Sequence, residues 1–198
     1  MTPLPFVFPY ALAFWAVFLW AFWPEFHIVR RADKSVRERP ASSDAGSLRV
    51  IVFGMWLAMA IAFAFAWMPT LQFPRRWGLA ALIVGAALLV AGSLLRRHCW
   101  RMLGASFTGE VRASTDQHIV TSGAYSLLRH PSYTAGTMMN AGLGLALGSW
   151  ASALVLVAGS VAVYSYRIRV EERALLTAVG EPYREFMRSR KRLIPFVY

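Results

Sequence analysis

The chain has 198 residues, 57% of them hydrophobic and 16% charged, with a mean hydropathy of +0.45; a soluble domain carries nearer about a quarter charged residues. Its formal net charge of +11 would suit nucleic acid, but the bases lie in loops between long apolar runs, a pattern of membrane topology rather than of a phosphate-binding face. A single cysteine, Cys99, excludes an internal disulfide framework and a cysteine-rich metal site, so no metal is expected.

In chain order, the first apolar run, 6–23, has no Lys or Arg before Arg30. It lacks the basic flank of a signal peptide and reads as a retained span. Runs 48–68 and 78–95 also have the roughly 20 residues that a helix needs to cross a bilayer. Between the first two spans lies a loop, 25–47. Its part 33–47, with Ser42-Ser43-Asp44-Ala45-Gly46-Ser47, reads as a polar, mobile connector. Gly85, Ala86, Gly92 and Ser93 in the third run favour close helix contacts, and no G-x-G-x-x-G phosphate fingerprint accompanies them. His98-Cys99, beside Arg96, Arg97, Trp100 and Arg101, reads as an interface anchor with a hydrated basic flank.

The apolar block 133–164 is too long for one ordinary span and is broken at Gly148-Ser149. Two short helices in a tight hairpin are expected, each of about 15 residues and about 22 Å, against a hydrocarbon core of about 30 Å. The hairpin therefore starts before Tyr133 or the bilayer thins around it. Gly136, Gly142 and Gly144 allow close approach, and Asn140 reads as an interhelical hydrogen bonder in preference to a ligand contact. Gly180 stops a helix and Glu181-Pro182-Tyr183 opens a short one. Phe186, Leu193, Ile194 and Phe196 among Arg188, Arg190, Lys191 and Arg192 suit an interfacial segment on anionic lipid.

Basic residues set the orientation. Loop 25–47 holds five, loop 96–132 five and the tail from Arg167 eight, whereas loop 70–77 holds two and the turn at Gly148 none. The expected fold is therefore an all-α integral membrane protein of five transmembrane helices, with spans four and five (132–166) as the hairpin and a cytosolic C-terminal helical segment. The N-terminus lies outside and the C-terminus in the cytosol. The chain divides into three N-terminal spans (1–95) and a half that carries the chemistry (96–198).

Polar groups sufficient for a site occur only in 96–132 and in the tail. Arg129-His130-Pro131 ends a loop, since the residue before proline is pushed out of helical geometry, and Pro131 suits the first turn of the helix beginning at Ser132. The free N–H groups of such a helix start suit an anion; in the plainer alternative His130 and Ser132 only cap it. Arg167 and Glu171 share a helix face, Glu172 points about 100° away, and the plain alternative is an i,i+4 ion pair at the membrane surface.

Taken together, His118-Ile-Val-Thr-Ser-Gly-Ala-Tyr125, Arg129-His-Pro-Ser-Tyr133, a hydrophobic hairpin, Arg167…Glu171-Glu172, Gly180-Glu-Pro-Tyr183 and Arg192-Leu-Ile-Pro195 resemble the isoprenylcysteine carboxyl methyltransferases and their prokaryotic relatives. The resemblance covers about Arg101 to Tyr198, and the first three spans match only in being hydrophobic. It implies S-adenosyl-L-methionine-dependent methyl transfer to a lipophilic or prenylated-cysteine carboxylate at the cytosolic membrane face. By similarity Gln117, His118, Ile119, Val120, Tyr125, His130, Pro131, Ser132, Tyr133 and Glu171 would contact the cofactor, and Arg167 would face the acceptor; Arg167 and Glu171 would be the catalytic pair. The family sets its loop histidine one residue further from the tyrosine than His118 stands from Tyr125, so either Gln117 occupies that position or the loop is shortened.

The residue types suit that chemistry. Displacement at a sulfonium methyl by an already ionised carboxylate needs no protein nucleophile, only orientation and exclusion of water. Arg167 can position an anionic acceptor, Glu171 can balance the cofactor's cationic groups, and Tyr125 and Tyr133 can stack on adenine or bear on the sulfonium. An apolar acceptor is expected to enter from the bilayer between spans four and five. Membrane sterol reductases, which use a nicotinamide cofactor, resemble this C-terminal architecture too, and a non-enzymatic membrane scaffold is the third reading. Anionic lipids are expected neighbours, and nucleic acid is not an expected partner.

Overall fold

The computed structural model describes residues 2–36, 44, 46–104 and 119–193, and for 26–36 the backbone alone. Among these residues there are six α-helices and no strands beyond isolated bridges: α1 (Tyr10–Val36), α2 (Ser47–Ala66), α3 (Arg75–Leu103), α4 (Pro131–Ala146), α5 (Trp150–Ala178) and α6 (Glu181–Ser189). Helices α2, α3 and α5 are long and apolar enough to cross a membrane. Phe53, Trp56, Leu57, Ile83, Val84, Leu94, Leu154 and Val161 are exposed around the bundle, an apolar belt far larger than a soluble monomer tolerates.

Two helices run further than the hydropathy implied. Helix α1 continues past Pro24, where the first span was expected to end, through much of the expected loop 25–47. Proline at 24 removes the N–H that would bond the carbonyl of Trp20. Arg97 of α3 supplies a replacement, its Nη2 donating to the Trp20 carbonyl at 2.5 Å while its guanidinium lies 4.3 Å from the Trp20 ring centroid. Helix α3 likewise continues to Leu103, so Arg96, Arg97 and Arg101 stand on a helix and not in a loop, and position 95 is no structural break.

Packing follows the glycines. Helix α4 lies between α3 and α5, and its Gly142 faces Gly85 of α3 so closely that a Cβ added to Gly142 would stand 2.6 Å from the Gly85 carbonyl oxygen and from the Leu89 nitrogen. Both neighbours are backbone and cannot yield. Replacing Gly142 by alanine is expected to cost at least about 1–3 kcal/mol by overpacking, seen as a lower thermal midpoint in detergent; an unchanged midpoint would mean the interface is looser than this. On the other side Gly144 meets the Ala153 backbone and Gly136 the Tyr164 hydroxyl. Helix α2 closes on α5 through Ser152, whose Oγ donates to the Ala62 carbonyl at 2.6 Å.

The hairpin turns at Gly148-Ser149 as its sequence indicated, with Gly148 at φ 77°. Ser149 caps α5 by accepting from the Ser152 amide at 3.2 Å, and its hydroxyl donates to the Leu71 carbonyl at 2.8 Å. The two helices are unequal, however: α4 has 16 residues and α5 has 29. No glycine or proline interrupts 160–179, so the helix does not stop at the hairpin's edge near 166. It carries Arg167, Glu171 and Glu172 outward on one rigid rod. Gly180, at φ 74°, ends that rod and α6 begins. Phe186 of α6 is buried beside Tyr183, with ring centroids 5.9 Å apart, so it faces protein rather than lipid.

Candidate functional site

The start of α4 is organised by what lies before Pro131. His130, at φ −129° and ψ 55°, stands outside helical geometry, as a residue before proline tends to. The stretch ahead of α4 then pairs with the C-terminal segment: the Arg129 amide donates to the Lys191 carbonyl at 2.8 Å and the His130 amide to the Arg192 carbonyl at 3.1 Å. Thr134 Oγ1 donates to the Leu193 carbonyl at 2.6 Å. His130 occupies the N-cap position, yet its side chain makes no capping bond. It reaches Glu172 instead, Nε2 to Oε1 at 3.2 Å. Ser132 is no cap either, for its carbonyl and hydroxyl accept from Arg96 Nη1 at 2.7 and 3.3 Å.

Glu172, given no role by sequence reasoning, is the hub of this end. It is 4% exposed and holds Arg129 Nη1 at 3.0 Å, Arg192 Nη2 at 3.0 Å and the His130 ring. A buried carboxylate is tolerable only with such pairing.

One turn away, Tyr133 donates its hydroxyl to Glu171 Oε2 at 2.8 Å, and Arg167 Nε lies 3.4 Å from the same hydroxyl. Tyr133 also stacks with His130 and Tyr164, at centroid distances of 5.6 and 5.0 Å. Arg167 is 4% exposed, which rules out the plain surface pair. Its Nη1 donates to Asp44 and to the hydroxyl of Ser47, and Asp44 in turn accepts from the Ser47 hydroxyl at 2.8 Å and the Leu48 amide at 3.0 Å. Asp44 and Ser47, expected in a mobile connector, are both buried: the carboxylate there holds α2's first turn and the buried arginine together. Glu171 differs from its neighbours in being open, its side chain 31% exposed.

Tyr125 sits in a 3-10 turn, Gly123–Ser126, and is buried. Burial pushes its phenol well above the ordinary range, and Cys99 and Glu171 add to the effect; it stays a neutral donor. Cys99 is itself fully buried, so the expected hydrated anchor faces inward at that residue. Ile119 and Val120 are half-buried in the coil leading to this turn, and their side chains bring no polar group to the network. Gln117 and His118 lie outside the described residues, as do Ile194 and Phe196.

A second feature escaped sequence reasoning. A groove of about 140 Å³ runs between α1, α2 and α4, lined by Phe18, Phe22, Met55, Met59, Met139 and Asn140 among others, and ends at Glu25, Arg96 and Tyr164. Arg96 pairs there with Glu25, Nη2 to Oε2 at 3.0 Å. Charges flanking apolar runs seek partners, a usable signal, but sequence gives no means of pairing residues 71 apart. Helices α4 and α5 close on each other beside their turn, at Gly144 and Ala153, and the apolar groove is bounded by α1, α2 and α4.

The profile of the isoprenylcysteine carboxyl methyltransferase (ICMT) family matches residues 84–177, which hold α4 and the carboxylate-bearing part of α5. Protein-S-isoprenylcysteine O-methyltransferase B of Arabidopsis thaliana is 29% identical over 115 residues, covering 57% of this chain and 58% of its own. The Dictyostelium discoideum protein-S-isoprenylcysteine O-methyltransferase is 28% identical over 144 residues, covering 72% and 61%. This chain thus spans somewhat under two thirds of the length of these relatives. A solved structure of the eukaryotic intramembrane Ras methyltransferase ICMT matches with a TM-score of 0.64 at 22% identity, covering 93% of this chain and 66% of that one, a likeness of fold. Over residues 84–177 the chain is thus similar in sequence to the isoprenylcysteine carboxyl methyltransferase family, and its fold is like that of the solved Ras methyltransferase.

Proposed function

We propose that this protein is an S-adenosyl-L-methionine-dependent methyltransferase that O-methylates the carboxylate of a lipophilic, isoprenylcysteine-like acceptor. The observation that carries this reading is the Tyr133–Glu171–Arg167 set: an open carboxylate oriented by a tyrosine, beside a buried arginine. The donor set fits the cofactor, because a partly open carboxylate in an otherwise buried cluster can balance a ligand's cationic groups. When bound, the cofactor supplies an electrophilic methyl group.

In this reading Glu171 and the segment His130–Tyr133 hold that ligand, with Tyr125 and the stretch 117–120 beside it. Tyr133 already stacks on His130 and Tyr164, so its contribution is the hydroxyl that fixes Glu171. Arg167 positions the acceptor carboxylate. Asp44 and Ser47 lock its guanidinium and share its charge, which keeps the acceptor from being held so strongly that its nucleophilicity is lost. The acceptor's apolar chain lies in the groove between α1, α2 and α4, reached from the bilayer. Five spans, an outside N-terminus and a cytosolic site follow from the basic loops, with anionic lipid at the basic C-terminal end; residues 1–95 serve as the membrane frame and 96–198 as the part carrying the chemistry.

Calorimetry on the detergent-purified protein tests this directly. S-adenosylhomocysteine is expected to bind and NADPH not to. NADPH binding would move the chain to the reductases, and binding of neither would leave a non-enzymatic scaffold as the better reading.

A further inference from the structure

Among the apolar side chains of the groove stands a polar group that the proposed chemistry does not use. Asn140 lines it and is 3% exposed. Its Nδ2 donates to Ser160 Oγ at 2.9 Å, and Ser160 spends its own hydrogen on the Leu156 carbonyl at 2.7 Å. Ser160 can therefore only accept from Asn140, which fixes the amide's orientation. The nitrogen is turned to α5, as expected of an interhelical bonder, and Oδ1 is left over. Among the described residues Oδ1 has no hydrogen-bond partner.

A buried acceptor without a donor is costly, and at membrane depth no bulk water relieves it. The same helix could have carried leucine here at no such cost. Asn140 stands seven residues beyond Tyr133 on α4, two helical turns and about 10 Å along the same face. With the acceptor placed as proposed above, its carboxylate by Tyr133 and Arg167 and its chain in the groove, the middle of that chain would pass Asn140.

We propose that Asn140 is a specificity-determining residue that selects acceptors bearing a hydrogen-bond donor, a hydroxyl or an amide N–H, on the apolar chain about 10 Å from the carboxylate. This rests on the reading of the groove as the acceptor's site and deepens it: a plain isoprenoid chain leaves Asn140 Oδ1 unsatisfied, whereas a hydroxylated or amide-bearing lipid completes it. Sites built to bond a donor discriminate against analogues lacking it more sharply than apolar pockets discriminate by size.

The test is displacement of a fluorescent fatty acid from the detergent-purified protein by stearate, 2-hydroxystearate and 10-hydroxystearate. The unsubstituted protein is expected to bind 10-hydroxystearate about five- to tenfold more tightly than stearate. 2-Hydroxystearate, whose hydroxyl lies beside the carboxylate, should gain nothing. Asn140→Leu should abolish the preference and leave stearate affinity in place. Equal binding of all three by the unsubstituted protein overturns the proposal, as does a preference that survives in Asn140→Leu. Because the readout needs no methyl donor, it is separable from the S-adenosylhomocysteine experiment, whose failure would leave the lipid preference standing.

Discussion

Replacing Glu171 by glutamine is expected to weaken S-adenosylhomocysteine binding by about ten- to a hundredfold, because a bond to a charged partner is worth about 1.5–3 kcal/mol. The change keeps the shape and the capacity to accept from Tyr133, and removes the charge. Since the side chain is 31% exposed, stability should move little. Tyr133→Phe removes the hydroxyl that donates to Glu171 Oε2 and should cost up to about tenfold in the same binding. If Tyr133 acts through Glu171, the double substitution costs no more than Glu171→Gln alone, since coupled residues are not additive. Additive losses would show that Tyr133 meets the ligand independently. Calorimetric affinities of the four proteins decide between these outcomes, and an unchanged affinity in Glu171→Gln would remove Glu171 from the site.

The sequence made much of this end readable, for reasons that differ by residue. The turn at Gly148-Ser149 was legible because a glycine and a capping serine act on their immediate neighbours. The stop at Gly180 and the helix after it were legible for the same reason. The motif drew attention to His130–Tyr133 and Glu171, and in the structure His130 and Tyr133 lie by Glu171, with Arg167 beside the Tyr133 hydroxyl. What stayed hidden depends on distant pairing. Asp44 is 123 residues from Arg167 and Glu25 is 71 from Arg96, and no local pattern encodes either partnership. The helix through Pro24 was hidden likewise, since the donor that satisfies Trp20 comes from α3. Glu172 was hidden by its neighbour: adjacent carboxylates look alike in sequence, and only the fold makes one open and the other buried.

That difference between the two carboxylates predicts opposite consequences. Glu172→Ala is expected to destabilise the protein by about 3–5 kcal/mol, because removing one member of a buried ionic cluster leaves the rest uncompensated. Arg129 and His130 are almost wholly buried against it, and Arg192 is tied to it from the C-terminal segment. At roughly 2–4 °C per kcal/mol for a chain of this size, the thermal midpoint should fall by about 10 °C. Arg192→Ala, removing a half-exposed partner, should cost about 1 kcal/mol or less. The C-terminal segment is otherwise held by backbone bonds from Arg129 and His130 and by Thr134, so losing Glu172 should also make it the first part cut by protease. A midpoint unchanged in Glu172→Ala would mean that the backbone pairing alone holds the segment. A fall in midpoint with early cleavage assigns Glu172 the task of docking the chain's end against α4, and through His130 of setting the place where Tyr133 and Glu171 meet.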